Sequence, residues 1–388
     1  MSKKKDTFCV APWYSVFLDS QGKLAPCCKF KNSYTNYDQI EKYFNSNEIK
    51  DLRHDLLNGI KNKNCSSCWK DEDNGGDSLR LILNRTTALH GSLNLSKQIK
   101  NPQLSEVKSF DLTLGNLCNL KCVMCTPGLS SQLLAEVTLN PQLNSRYKKK
   151  FDQKAFDWPK SEDFVKWCER YLPQAIHIKL TGGEPFLLPW IHEVIETIPE
   201  KQKAKCILHF TTNLTKIDDK LFETFKKFKA VWISVSVEGT GSTHEYLRHG
   251  HSWELLTKNI QNILEKKIDS LVFKVNHVIQ TPSYHSIIPM TEFFDKIGLE
   301  IHPILLSNPK HFHISALTEE AKKEFLDKSK NYNGQNQKFI NFVRSVSQEY
   351  MKQDILLTRA CVDDLMNLDA VRKNSYTGII PEKNLRLY

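Results

Sequence analysis

The chain has 388 residues, 40% hydrophobic and 25% charged, which excludes a largely disordered or collagen-like polypeptide. Its 54 Lys and Arg against 44 Asp and Glu give a net charge of +10 and favour acidic partners, but the excess is spread out. The runs Lys3-Lys4-Lys5 and Lys148-Lys149-Lys150 are short and lack the interleaved aromatics of a nucleic-acid groove.

No stretch approaches the uncharged apolar run of a membrane helix. The opening Met1-Ser2-Lys3-Lys4-Lys5-Asp6 is followed by no apolar segment, so a secretory signal is not expected and the expected location is cytoplasmic. Residues 1–105 read as one small region. Asp19-Ser20-Gln21-Gly22 predicts a hairpin turn between Trp13–Leu18 and Lys23–Pro26. A helix is expected near Gln39–Leu57, with Ile40, Phe44, Ile49, Leu52 and Leu56 on one face. Asp71–Asp77 reads as a polar loop and Ser96–Pro102 as a linker.

From residue 106 the pattern becomes strand then helix, repeated. Strands are predicted at Ser109–Gly115, Ile176–Thr181, Lys205–Thr212, Val231–Val237, Val272–Gln280 and Ile301–Leu306. Helices are predicted at Leu129–Thr138, Trp190–Thr197, Asp218–Lys227, Trp253–Lys266 and Ser286–Lys296, with a helical insertion over 140–169. Six βα units imply a parallel sheet, either a partial barrel or a doubly wound sheet. No G-x-G-x-x-G run follows the first strand, which weakens a dinucleotide fold. Residues 316–388 read as helical, then irregular. In βα barrels the working residues sit at the C-terminal strand ends. Here those ends carry a cysteine triplet, then Thr181-Gly182-Gly183-Glu184-Pro185, then Thr212-Asn213, then Ser236-Val237-Glu238-Gly239.

Eleven cysteines are many for a protein without an export signal, and clustering in a reducing compartment points to metal or redox chemistry. Cys118-Asn119-Leu120-Lys121-Cys122-Val123-Met124-Cys125 is a C-x3-C-x2-C triplet. Three thiolates are one short of a closed zinc site and one short of the usual four on a [4Fe–4S] cluster. A three-thiolate cluster leaves one iron open to a ligand; a zinc knuckle completed by a distant His is the alternative. Cys9, Cys27, Cys65 and Cys68 would close a second site, zinc or iron–sulfur, with Cys28 as spare or substitute. Cys168, Cys206 and Cys361 are isolated and read as buried thiols.

The triplet after a first strand, with Gly182-Gly183-Glu184 after the next, resembles the radical S-adenosylmethionine (SAM) superfamily over roughly residues 106–310. Cys9-x12-Gly22-x4-Cys27 with Cys65-x2-Cys68 is similar to the auxiliary-cluster motif of SPASM and twitch domains, placed here before the barrel; the matching runs on through Gly76, Ser78 and Arg80. Met124 stands where the family usually has an aromatic against the adenine. The resemblance implies an α/β fold: a partial (β/α)6 TIM-type barrel at 106–315, a small cysteine-rich twitch-like module at 1–105 and a helical C-terminal extension at 316–388.

It further implies a [4Fe–4S] cluster on Cys118, Cys122 and Cys125, with SAM chelating the open iron. Gly182, Gly183 and Glu184 would hold the SAM amino group, Ser236 and Arg248 its carboxylate, and Asn213 the ribose or the substrate cavity, as would Asn276. An auxiliary [4Fe–4S] cluster would sit on Cys9, Cys27, Cys65 and Cys68. One-electron cleavage of SAM, fed by a reductant such as flavodoxin or ferredoxin, would give a 5′-deoxyadenosyl radical that takes a hydrogen atom from a peptide, a protein side chain or a small metabolite. His177, His209, His277 and His302 fall on strands and read as core histidines, with proton transfer as the alternative. Two other functions stand beside this one: a radical enzyme acting on nucleic acid, and a zinc-stapled binding protein without catalysis.

Overall fold

The computed structural model describes residues 7–32, 35–73, 77–89, 95–147 and 151–387. Gly76 and both lysine runs lie outside the described residues. The chain forms two compact units, one of residues 1–116, 152–210 and 223–231, the other of residues 117–151, 211–222 and 232–388.

The first unit holds β1 (Ser15–Leu18), β2 (Leu24–Ala25), β3 (Ser109–Thr113), β4 (His177–Thr181) and most of β5 (Ile207–Thr212), ordered β2-β1-β3-β4-β5. The expected hairpin is present: β1 and β2 pair antiparallel with Phe17 opposite Ala25, and Asp19 Oδ1 accepts from the amides of Gln21 and Lys23, both at 2.9 Å. The hairpin is shorter than expected, because Ala11–Tyr14 coils into a helical turn with Pro12 in its first turn. β1 also pairs parallel with β3, Ser15 opposite Ser109, so the N-terminal region adds a strand to the sheet. β3, β4 and β5 are parallel in sequential order, as in a βα barrel and unlike the reversed order of a doubly wound sheet. Phe110, Leu112, Ile178, Leu180, Leu208 and Phe210 are fully buried on one face. The helix Glu162–Tyr171 of the expected insertion covers that face, Trp167 meeting Phe110 edge-on at 6.0 Å.

Two expectations in this unit are corrected. The helix over Gln39–Leu57 is broken into Ile40–Phe44 and Asn47–Leu57, because Ser46 caps the second piece by accepting from Ile49 N at 3.3 Å. The linker at Ser96–Pro102 is instead largely the helix Leu95–Lys100. It is fixed by Gln98, 3% exposed, whose amide donates to Trp13 O and Gln103 O, each at 2.9 Å.

The second unit holds most of β6 (Ala230–Ser236), with β7 (Leu271–Ile279) and β8 (Ile301–Leu305) following in order; β7 and β8 are parallel. Connecting helices Trp253–Glu265 and Ile287–Lys296 lie where the periodicity places them. The helical C-terminal segment comprises Glu319–Lys328, Gln337–Glu349 and Ile355–Arg372, followed by short turns. Leu365 and Leu368 of the last helix bury against a core that includes Val123, Leu133 and Tyr246. Among the described residues no helix is long and apolar enough to cross a membrane.

Candidate functional site

The cysteine triplet lies on a loop of the second unit. Cys118 and Cys122 are buried and Cys125 half-buried. Between them Leu120 and Val123, each 1% exposed, anchor the loop in apolar surroundings and leave the alternate positions for sulfur. The backbone is fixed at each step. Lys121 N donates to His249 O at 2.9 Å and Val123 N to Leu247 O at 2.7 Å. Ser130 Oγ donates to Leu120 O at 2.6 Å, Ser131 Oγ meets both the amide and the carbonyl of Cys118, and Tyr147 OH donates to Cys125 O at 3.3 Å. Arg146 donates to Val123 O. Met124 packs, partly buried, beside Cys118 and Cys122.

Two sulfurs have polar partners. Asn213 Nδ2 lies 3.9 Å from Cys118 Sγ and donates to Asn119 Oδ1 at 3.1 Å, while its oxygen accepts from the amide and hydroxyl of Thr215. The Asn213 amide is thereby engaged in holding the loop. Arg248 Nη1 lies 3.8 Å from Cys122 Sγ. The rest of its guanidinium forks onto the fully buried Glu238, Nη2 to Oε1 at 3.1 Å and Nε to Oε2. Burial pushes the Cys122 thiol up and the Arg248 charge pulls it back; burial pushes Cys125 up to about 12. Metal binding at these sulfurs must therefore expel protons, and donors aimed at sulfur favour the thiolate that remains. Ser236 ends β6, and next to it Val237 N donates to Asn276 O at 3.0 Å.

The Gly-Gly-Glu bend belongs to the first unit and follows β4. Gly182 has φ +99°, and a Cβ there would lie 2.5 Å from Leu114 N and 2.8 Å from Gly115 O, so only glycine lets the bend close on the end of β3. Gly183 is also left-handed at φ +49°. Glu184 is fully buried and caps the turn after it, accepting from Phe186 N at 3.1 Å. The bend's geometry is thus fixed from inside by its own glutamate.

The second cysteine group is also in the first unit. Cys9, Cys27, Cys65 and Cys68 line one small cavity, walled by Leu56, Trp69 and Leu83, with Lys29 and Arg80 as its cations. Burial pushes Cys9 and Cys65 each up to about 12. Arg80 is 4% exposed; it forks onto Glu72 at 2.9 and 2.6 Å and donates to Phe8 O at 2.6 Å, beside Cys9. Ser78 Oγ donates to the same carboxylate at 2.5 Å. Asn84, which the cysteine spacing gave no reason to single out, grips Cys9 from both sides, accepting from Val10 N and donating to Phe8 O, each at 2.8 Å. Cys28 is exposed and does not line this cavity. Among the described residues no three Cys, His, Asp or Glu side chains meet at the separation a single metal ion requires.

The strand histidines behave differently from one another. His277 is fully buried with Nδ1 2.9 Å from Val237 O, His177 Nδ1 lies 3.1 Å from Ser109 Oγ, His209 is half-buried and His302 exposed.

Against known proteins, the model described as Radical SAM superfamily matches residues 112–293. No curated protein matches the chain. Among solved structures, anSMEcpe with bound AdoMet and Cp18Cys peptide aligns at 14% identity and TM-score 0.36, covering 55% of this chain and 56% of that one. SuiB of Streptococcus suis bound to S-adenosylmethionine aligns at 15% identity and TM-score 0.39, covering 82% of this chain and 70% of that one. The chain thus spans little more than half the length of the anSMEcpe chain. Residues 112–293, a little under half of the chain, thus match the Radical SAM superfamily.

Proposed function

We propose that this enzyme binds a [4Fe–4S] cluster through Cys118, Cys122 and Cys125, binds SAM beside it, and acts on a peptide, a protein side chain or a small metabolite. The observation that carries the reading is the triplet loop itself: three sulfurs on one fixed loop, flanked by donors from Asn213 and Arg248, and one short of closing a four-ligand centre. When bound, the cluster and SAM supply reductive cleavage of the sulfonium to methionine and a 5′-deoxyadenosyl radical, which removes a substrate hydrogen atom. The chain's own part is placement. Gly182 and Gly183 bring backbone close to the SAM amino group, whose ammonium needs acceptors. Ser236 and Arg248 serve its carboxylate, Arg248 through Nη1 because Nε and Nη2 are held by Glu238, and Met124 packs near the adenine. Asn213 keeps the Cys118 side of the loop in place.

The N-terminal thiols Cys9, Cys27, Cys65 and Cys68 are assigned to an auxiliary [4Fe–4S] cluster in a twitch-like module spanning residues 1–105. Their shared cavity supports this, as do Arg80 and Lys29, whose positive charge offsets that of four thiolates. Cys28 is not needed as a substitute ligand. A flavodoxin- or ferredoxin-type reductant would supply electrons.

The test is anaerobic reconstitution with iron and sulfide counted. About eight iron per chain is expected for the wild type, and about four for Cys118→Ala/Cys122→Ala/Cys125→Ala and for Cys65→Ala/Cys68→Ala. The first variant should make no 5′-deoxyadenosine from SAM and dithionite. Stoichiometric zinc in place of iron, or no 5′-deoxyadenosine from the wild type, would overturn the reading.

A further inference from the structure

The second cysteine group lies beside a lysine-rich surface. Residues 24–37 and 56–70, which carry Cys27, Cys65 and Cys68, hold five lysines and no Asp or Glu. The fold joins the two segments, because Lys31 N donates to Asn64 O at 3.2 Å. Trp69 Nε1, donating to Asn62 O at 2.9 Å, fixes the turn that leads into Cys65. Lys29, Lys31, Lys61, Lys63 and Lys70 are all exposed. Among the described residues only Lys61 of these is in an ion pair, with Asp73 at 2.9 Å. Of the neighbouring carboxylates, Asp55 accepts from Asn62 at 2.8 Å and Glu72 is held by Arg80, which leaves Asp71 exposed.

Two features separate this face from an ordinary solvated one. Leu57 and Ile60, on the turn that runs into Lys61 and Lys63, are 43% and 46% exposed, so apolar surface stands among the charges. Cys27 and Cys65 are only half-buried in the wall of the cavity that Lys29 also lines, so a cluster held there lies at the surface. The face is not built for nucleic-acid bases. Trp69 is 6% exposed, and the aliphatic Leu57 and Ile60 offer no stacking plane.

We propose that this face, Lys29, Lys31, Lys63 and Lys70 with Leu57 and Ile60, docks an acidic flavodoxin-type protein that delivers electrons to the auxiliary cluster. Complementary charge steers an acidic carrier to the lysines. The aliphatic pair suits the methyl-bearing edge of a flavin, the apolar part of that cofactor. A substrate atom must touch the radical formed at the triplet, whereas an electron crosses protein without contact. A face in the unit that does not hold the triplet therefore suits a carrier better than a substrate. One electron passes from the anionic flavin hydroquinone, which becomes the neutral semiquinone, to the oxidised cluster; no bond changes and no proton moves. This inference rests on the proposed auxiliary cluster and names the docking site of its reductant.

The experiment titrates anaerobically reconstituted enzyme with oxidised flavodoxin in a calorimeter. Binding should weaken as salt is raised. At low salt Lys31→Glu/Lys63→Glu/Lys70→Glu should bind at least about tenfold less tightly than the wild type, and the Lys→Gln triple at the same positions should lose less. Lys296→Glu/Lys310→Glu/Lys338→Glu makes the same charge change on exposed lysines elsewhere and should stay within about threefold of the wild type. All three should keep the wild-type iron content, which shows that they fold. In Cys118→Ala/Cys122→Ala/Cys125→Ala, which retains only the auxiliary cluster, flavodoxin hydroquinone should yield semiquinone absorbance and the paramagnetic signal of a reduced cluster. No flavodoxin binding, equal losses in the two Lys→Glu triples, absence of semiquinone, or tighter binding of a [2Fe–2S] ferredoxin or a single-stranded RNA to the same lysines would overturn the assignment. Failure of the auxiliary cluster itself would read differently: the wild type would hold about four iron instead of about eight, with flavodoxin binding unchanged.

Discussion

Arg372, the last residue of the helix Ile355–Arg372, donates to both carboxylate oxygens of Glu136, at 2.7 Å to Oε2 and 3.1 Å to Oε1, and both side chains are almost fully removed from solvent. Glu136 also receives Lys121 Nζ at 2.8 Å, and Lys121 stands between Cys118 and Cys122. Burial would raise the Glu136 carboxyl, but hydrogen bonds from Arg372 and Lys121 hold it below the usual range. The C-terminal helix is therefore tied to the cysteine loop through one shared carboxylate.

Arg372→Met leaves that carboxylate buried with only the lysine. Removing one partner of a buried pair typically destabilises by several kcal/mol, and about 3 kcal/mol is expected here because Lys121 remains. Urea unfolding of the metal-free chain measures it. Arg372→Lys should recover only part, since an ammonium cannot fork onto both oxygens.

Arg248 and Glu238 form the second buried pair, and here the sulfur is part of the geometry. Arg248→Met strands a fully buried carboxylate and should cost about 3–5 kcal/mol. Arg248→Met/Glu238→Gln removes both charges and should regain most of that loss, a coupling that a double-mutant cycle reads directly. In the stable double variant the donor to Cys122 is still missing, so the midpoint potential of the reconstituted triplet cluster should fall below that of the wild type.

What the chain displays locally was legible without a structure. Strands β3 to β8 are runs of β-branched and apolar residues bounded by turns, and their observed limits fall within a residue or two of those expected. The triplet and the Cys65–Cys68 pair are fixed by short spacings, so they too could be read directly. Two local misreadings have local causes. Leu95–Lys100 is only six residues long and depends on Gln98 reaching Trp13, and Ser46 is polar in a way that suits either a helix surface or a cap. What stayed hidden are partners separated in sequence. Asn84 grips Val10 across 74 positions and Asp111 meets Lys179 across 68, and no local periodicity encodes such pairings. Arg248 was legible as a guanidinium near a strand end, but not as one already claimed by Glu238.

The two glycines of the bend should differ in tolerance. At Gly183, φ +49° lies in the left-handed helical region, which an alanine enters at about 1–2 kcal/mol. At Gly182 an alanine would combine φ +99° with a methyl carbon 2.5 Å from backbone nitrogen, and backbone cannot step aside as a side chain can. Gly182→Ala should therefore weaken SAM binding by at least about tenfold, and Gly183→Ala by less, as measured by equilibrium dialysis of the reconstituted enzyme.

Lys322 supplies a prediction about pH. It lies in the helix Glu319–Lys328 with no exposure, its ammonium donating to Met351 O at 3.2 Å and Lys352 O at 3.4 Å. Burial lowers it from 10.5 to about 8, against the opposing pull of Glu319. Between those values the unfolded chain keeps a proton that the folded chain has released, so stability should rise with pH across the window. Below pH 8 both states carry the charge and the burial penalty is constant. Lys322→Met removes this contribution. The stability of the wild type minus that of the variant should stay level from about pH 6 to pH 7.5, then climb by at most about 1.4 kcal/mol per pH unit up to about pH 10. Urea unfolding of the metal-free chains over that range decides it: a difference that is flat throughout, or that falls as pH rises, would mean that the Lys322 ammonium is fully compensated in the fold.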